Sequence, residues 1–341
     1  MYCCICEVFC VLNGGDRTPA LPSLSAVGAV FAFVLLLAVT AVGACYPILA
    51  LPLTAVSGGI LAAVLLLHRA PLSVIAPFLC AGLCAVFAKN GTAAVLSFLF
   101  LPIGFASAFA VFMRMKRMQA IAVSGCAAAF VGAISLGATI LASGLTPAAF
   151  FASVKEECIR FLTSHTVLTE TGDRMPFLTE ASADALISYF TLLLPAILIC
   201  SLFLLSFFAT GILRKILARL GAEADFLPGG WELMPGKLAA AVYLFTQPIA
   251  FLCAVLPDAQ ALYFGFYNVS LVFLLPLAIL GITACIRHFR HTKSLGGLGK
   301  TALAALALLL AAAGLYWLLT FAAFYGVYII FRTERSDSAS P

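Results

Sequence analysis

Apolar residues along this chain fall in long unbroken runs divided by short polar stretches, without the strict alternation of a half-buried strand. The runs cover residues 24–43, 46–67, 71–88, 92–113, 119–142, 185–212, 237–256, 262–286 and 300–331. Most lie near the ~20 residues an α-helix needs to cross ~30 Å of hydrocarbon, where backbone polar groups must be paired within the segment itself. The pattern predicts an all-α fold, a polytopic transmembrane helix bundle of about nine spans with one outer amphipathic helix. The last run would reach about 48 Å at about 1.5 Å per residue. It is expected to tilt, to kink near Gly314 or to project from the membrane, being too short for two spans.

Two stretches interrupt the runs. In residues 143–184, Thr146-Pro147 reads as an N-cap followed by proline at the first helical position. Phe150, Phe151, Val154, Cys158, Phe161 and Leu162 then share one face, while Ser153, Glu156, Glu157 and Arg160 point away. This predicts a helix lying on the outer surface or folding over the mouth of the bundle. In residues 213–236 the breakers Pro228-Gly229-Gly230 and Pro235-Gly236 surround Trp231, an expected interfacial anchor. The chain accordingly divides into a disordered leader (1–22), a five-helix membrane unit (23–142), the amphipathic segment (143–184), a four-helix membrane unit (185–332) and a disordered tail (333–341).

Composition sharpens this reading. Hydrophobic residues make up 64% of the chain, charged residues 10%, and mean hydropathy is +1.14, whereas soluble domains carry about 25% charged residues. The net charge of +5 does not point to nucleic acid, because Lys and Arg sit in short clusters between runs with no basic face interleaved with aromatics. Thirteen of the 19 Lys and Arg residues fall on one side of the predicted spans; Lys89, Lys155, Arg160, Arg174, Arg332 and Arg335 fall on the other. The richer side is expected to be cytoplasmic. The N-terminus is then inside and, with nine spans, the C-terminus outside.

The chemistry the chain lacks is informative. None of the predicted spans holds Asp, Glu, Lys, Arg or His away from its ends. Charge at mid-membrane costs ~2.5–3.5 kcal/mol or more and persists where function needs it, so carboxylate-based proton coupling is not expected. Nor is an intramembrane protease, which needs paired aspartates, a metal-binding HExxH or a serine with a histidine. His68, His165, His288 and His291 lie at helix ends or in the outer loop and form no catalytic pairing. No enzyme activity and no cofactor are predicted.

Most of the 12 cysteines lie in or beside apolar runs, where a thiol behaves as a small hydrophobe. Cys3, Cys4, Cys6 and Cys10 lack the paired spacing of zinc sites, so no metal is expected. Ser294 to Thr301 ends in Gly-Lys-Thr, yet lacks the first glycine and the preceding strand of a phosphate loop, and reads as a basic linker. Val42-Gly43-Ala44-Cys45 looks like a lipoprotein cleavage box, but another span follows at once and a basic start is nearly absent, so a retained first helix is expected.

Uncharged polar groups are the remaining candidates for a site. Gln247 precedes Pro248 near mid-membrane, and Tyr263, Tyr267 and Asn268 enter from the outer side below Asp258 and Gln260. Such a cluster suits a small, mostly apolar ligand. The plainer reading is interfacial tyrosines with hydrogen bonds between helices. Ser25, Gly28, Ala29 and Ala32 form a smooth stripe that lets another helix approach, either from the same chain or from a separate membrane subunit.

Several stretches resemble the YybS-like family of bacterial membrane proteins over roughly residues 22–335. They are Leu66-Leu67-His68-Arg69, Arg114-Met115-Lys116-Arg117, the amphipathic helix leading into Leu193-Leu194-Pro195-Ala196-Ile197, Tyr267-Asn268-Val269-Ser270-Leu271, the basic stretch Arg287 to Lys293, and Tyr325-Gly326-Val327-Tyr328-Ile329-Ile330-Phe331-Arg332. That family is similar in its first helices to the substrate-binding subunits of energy-coupling-factor vitamin transporters, which have about six spans. The resemblance implies a multi-pass protein of the bacterial cytoplasmic (inner) membrane. It also implies docking to another membrane subunit through Ser25, Gly28, Ala29 and Ala32. The expected partners are the lipid bilayer, an unidentified small molecule and, optionally, such a subunit. Two functions stand: a transporter-like small-molecule-binding subunit, with Gln247, Tyr263, Tyr267 and Asn268 as its site, or a non-transporting scaffold or regulator that binds another membrane protein.

Overall fold

The computed structural model of the protein describes residues 24–68, 72–87, 91–164, 166–168, 174–176, 179–221, 235–256, 258–291 and 314–337. Ten helices fill them: α1 (Ala26–Cys45), α2 (Pro47–Leu67), α3 (Leu72–Phe87), α4 (Gly91–Phe112), α5 (Arg117–Ser143), α6 (Pro147–Ser164), α7 (Glu180–Arg219), α8 (Lys237–Val255), α9 (Gln260–His291) and α10 (Leu315–Asp337). Every predicted run holds a helix, and α6 is the amphipathic one. Thr146 caps α6, its hydroxyl accepting from the Ala149 N–H at 3.3 Å. The strands β1 (Thr166–Leu168) and β2 (Arg174–Pro176) add a small antiparallel hairpin that the apolar pattern did not predict, pairing Val167 with Met175. Helix α10 runs to Asp337, into the segment assigned to a tail. The leader cysteines, Trp231, His165 and the Ser294 to Thr301 linker lie outside the described residues.

Among the described residues six helices are long and apolar enough to cross a membrane, and three shorter apolar stretches lie at Val74–Leu83, Phe98–Phe112 and Tyr316–Arg332. Outward-facing Val27 (80% exposed) and Leu141 (84%) leave a surface that suits hydrocarbon rather than water. Helices α2, α3, α4, α7, α8 and α9 each contain an interior proline. Membrane helices tolerate this where neighbouring groups pair the freed backbone. Hydroxyls turn inward in the same way: Thr54, Thr210, Thr246 and Thr320 each donate to the carbonyl four residues earlier.

The chain forms two compact units, Met1–Leu136 with Ser201–Glu232, and Gly137–Cys200 with Leu233–Pro341. The divisions fall inside α5 and α7, not at the 142/143 and 184/185 boundaries drawn from the apolar runs. In the first unit α2 is central because its glycines admit neighbours. Gly58 meets Ile103 of α4, Gly104 of α4 meets Leu61, and Gly59 meets the Ala209 carbonyl and Ile212 of α7. Buried Leu36, Phe100, Val111, Leu213 and Leu217 fill the surrounding space. Ser107 and Ser124 pair their hydroxyls at 2.9 Å, and the Arg117 guanidinium stacks over Phe207, 4.8 Å from the ring centroid.

In the second unit α8, α9 and α10 pack together around Tyr243, Leu274, Leu277, Ala323 and Val327. Gly281 of α9 lies against the Ala322 carbonyl, and Gly326 of α10 lies against the Leu277 carbonyl. Tyr267, early in α9, touches Tyr316, at the start of α10, with ring centroids 5.9 Å apart. The Tyr267–Tyr316 contact precedes the glycine crossing on both helices, so α9 and α10 are parallel. Against α8 the order reverses, with Gln247 at Tyr316 and Tyr243 at Phe324.

This departs from the expected single final span running opposite to the one before it. Gly314 has φ 122°, a conformation open to glycine, and α10 starts directly after it. His291 and Leu315 therefore lie at opposite ends of the α9–α10 pair.

Candidate functional site

Gln247 lies where α8 meets α9 and α10. Its position follows from α8, where Pro248 removes a backbone donor and the Thr246 hydroxyl turns back to the Val242 carbonyl at 2.8 Å. The Ser270 hydroxyl of α9 donates to Gln247 Oε1. Gln247 Nε2 donates to the Tyr316 hydroxyl of α10 at 2.7 Å. A carboxamide has two donor hydrogens and two acceptor lone pairs, so this arrangement holds the group rigidly and leaves one of each. Ser270 is buried, whereas Gln247 and Tyr316 are half-buried.

Aromatic rings extend from Tyr316. Tyr263 and Tyr267 are stacked, with centroids 5.3 Å apart and planes 15° from parallel. The Tyr263 hydroxyl lies against that of Tyr189 on α7, and the Tyr267 hydroxyl against that of Tyr316. Tyr189 also meets Phe264 edge-on at 5.7 Å. The result is an uncharged patch of amide, hydroxyl and aromatic faces drawn from four helices.

Asn268 takes a different part. Its Nδ2 donates to the Leu192 and Phe264 carbonyls, each at 2.8 Å, and its Oδ1 accepts from the Ala196 N–H at 3.3 Å. Leu192 and Ala196 flank Pro195, so the amide grips α7 at the turn that its proline weakens. Of the four residues singled out in the sequence, Gln247, Tyr263 and Tyr267 join one patch, and Asn268 is spent on α7.

The sequence reading missed Ser270, Tyr189 and Tyr316. Tyr316 was hidden inside a 32-residue apolar run. Treating Gly314 as a helix boundary would have exposed Tyr316-Trp317 as an aromatic pair opening a helix.

The small-residue stripe lies at the start of α1. The Ser25 hydroxyl caps the helix by accepting from the Gly28 N–H at 3.2 Å. Ala29 is buried, Gly28 and Ala32 are half-buried, and Ala32 packs on the first unit's own core around Leu36 and Leu61. Next to this stripe Leu24 N–H donates to the Leu67 carbonyl at 2.9 Å, pinning the start of α1 to the end of α2. Among the described residues no group of three or more His, Cys, Asp and Glu side chains is placed to hold a metal ion.

Apolar helices with outward hydrocarbon surface and uncharged polar interiors define a multi-pass helical membrane protein. The family model described as "Predicted membrane protein (DUF2232)" matches residues 26–327, and the chain belongs to that family. No curated protein and no solved structure matches it.

Proposed function

We propose that the protein binds a small, neutral, flat molecule at the patch formed by Gln247, Tyr263, Tyr267 and Tyr316, and serves as the ligand-binding component of a membrane transport system. One observation carries the reading: the Gln247 carboxamide is held on two sides by Ser270 and Tyr316 and keeps a donor and an acceptor beside stacked tyrosine rings. That combination suits an amide-like or heterocyclic edge together with an aromatic face. The resemblance to the YybS-like family and to vitamin-binding transporter subunits supports the same reading. It would make Ser25, Gly28, Ala29 and Ala32 the place where an energising subunit docks in a bacterial inner membrane. The protein itself performs no covalent chemistry in this reading.

Thermal unfolding of the purified protein with vitamins and nucleobases tests the proposal. A true ligand raises Tm as its concentration passes its dissociation constant, and Gln247→Ala and Tyr267→Ala abolish the rise. If no compound acts and a co-purifying membrane protein is lost on Ala29→Leu with Ala32→Leu, the scaffold reading takes its place.

The layout we propose has ten crossings rather than nine, with both termini in the cytosol. Parallel packing of α9 and α10 supports it, because the start of α10 then shares a face of the bilayer with the start of α9 and its end shares a face with the end of α9. The charge balance supports it independently. Arg332 and Arg335 move to the basic side, leaving Lys89, Lys155, Arg160 and Arg174 opposite.

A further inference from the structure

Helix α6 contains no buried residue. Lys155 ties it to α7, with Nζ 2.7 Å from Asp184 Oδ1 and 3.3 Å from the Ser188 hydroxyl. Ile159 and Leu162 share that edge at helical spacing and are half-buried. Beside it Phe151 (48% exposed) and Val154 (44%) form an open apolar stripe, extended by exposed Cys158. The opposite face is polar: Glu156, Glu157 and Arg160 are exposed, with Glu157 and Arg160 3.6 Å apart.

We infer that α6 is an interfacial helix that lies in the plane of the bilayer, with Phe151 and Val154 among the upper acyl chains and Glu156, Glu157 and Arg160 in water. What covers the stripe follows from where the helix is held. Only Gly144, Leu145 and Thr146 join it to α5, and three residues reach about 10 Å at most. The last turns of α5 expose Leu141, and the first turns of α7, next to Asp184, expose Leu186 and Phe190. Both neighbours present lipid-facing side chains at the level of α6, so its stripe continues a surface that hydrocarbon already covers. The polar face is not rich in Lys and Arg, so burial of apolar area drives the contact and anionic lipid is not needed.

Phe151→Trp, Val154→Trp and Glu156→Trp, each in a Trp231→Phe, Trp317→Phe background, test the placement in phosphatidylcholine liposomes. Lipid brominated in the upper acyl chain is expected to remove about half of the emission at positions 151 and 154 and little at 156, with aqueous iodide giving the reverse order. Equal iodide quenching at 151 and 156 would overturn the inference. So would protection of 151 from both quenchers, which means that protein covers the stripe as a lid or a second copy. Unaltered protein provides a check independent of the tryptophan background. After irradiation with a phosphatidylcholine bearing a diazirine near the glycerol, adducts belong on Phe151 or Val154, and their confinement to the spanning helices would also overturn it.

Discussion

Asn268 and Gln247 are both amides inside a membrane bundle, yet they do different work. Asn268 uses three of its four hydrogen-bonding positions on backbone groups, two of them on α7. Replacing it with Leu is expected to cost about 1–2 kcal/mol, since hydrogen bonds between membrane helices average ~0.6 kcal/mol and reach ~1.7. Equilibrium unfolding in mixed micelles measures this, and ligand response should survive in the protein that remains folded. Gln247 keeps part of its capacity unused, so Gln247→Leu should lower stability by only about 1 kcal/mol while removing the ligand response. Ser270→Ala, which frees Oε1 without removing the amide, should weaken ligand response less than Gln247→Leu in the same thermal assay.

Glycines on single helices separate packing from propensity. An added methyl at Gly326 would run into the Leu277 carbonyl, so Gly326→Ala must push α9 and α10 apart, at a cost of about 1–3 kcal/mol. Gly265 lies on α9 with open space around its Cα. There the same substitution should stabilise by about 0.5–1 kcal/mol, because alanine loses less backbone entropy in a helix. Opposite signs in one unfolding assay are the expected outcome. Lys155 and Asp184 are each roughly half exposed, so breaking their ion pair with Asp184→Asn should change stability by less than about 1 kcal/mol. The pair's effect belongs to the position of α6, which bromolipid quenching at position 151 reads directly.

At the scale of the molecule, crossing number decides which face each terminus occupies. The ten crossings proposed above would put both ends in the cytosol, so tags on the N- and C-termini should both resist protease added to intact cells and both be cut after lysis. Tags on opposite faces would restore the nine-span layout read from the apolar runs. The arrangement also predicts that a cysteine label at Trp317, at the start of α10, is reached from the side that reaches Tyr263, at the start of α9.

Sequence by itself determined the solvent, the helices and much of their local detail. Whether a segment can cross hydrocarbon depends on its own length and charge, and caps such as Ser25 and Thr146 act within one turn. Those quantities need no knowledge of neighbours. Tertiary structure alone decided the direction of α10, because its apolar side chains suit lipid in either direction and carry no pairing code. The Tyr267–Tyr316 contact, which precedes the Leu277–Gly326 contact by the same interval on both helices, singles out the parallel arrangement. The candidate site divided in the same way. Uncharged polar residues near Gln247 were legible as a group, but a hydrogen bond needs both partners in place. Only packing could send Asn268 to α7 and bring Tyr316, 69 residues away in the chain, to Gln247.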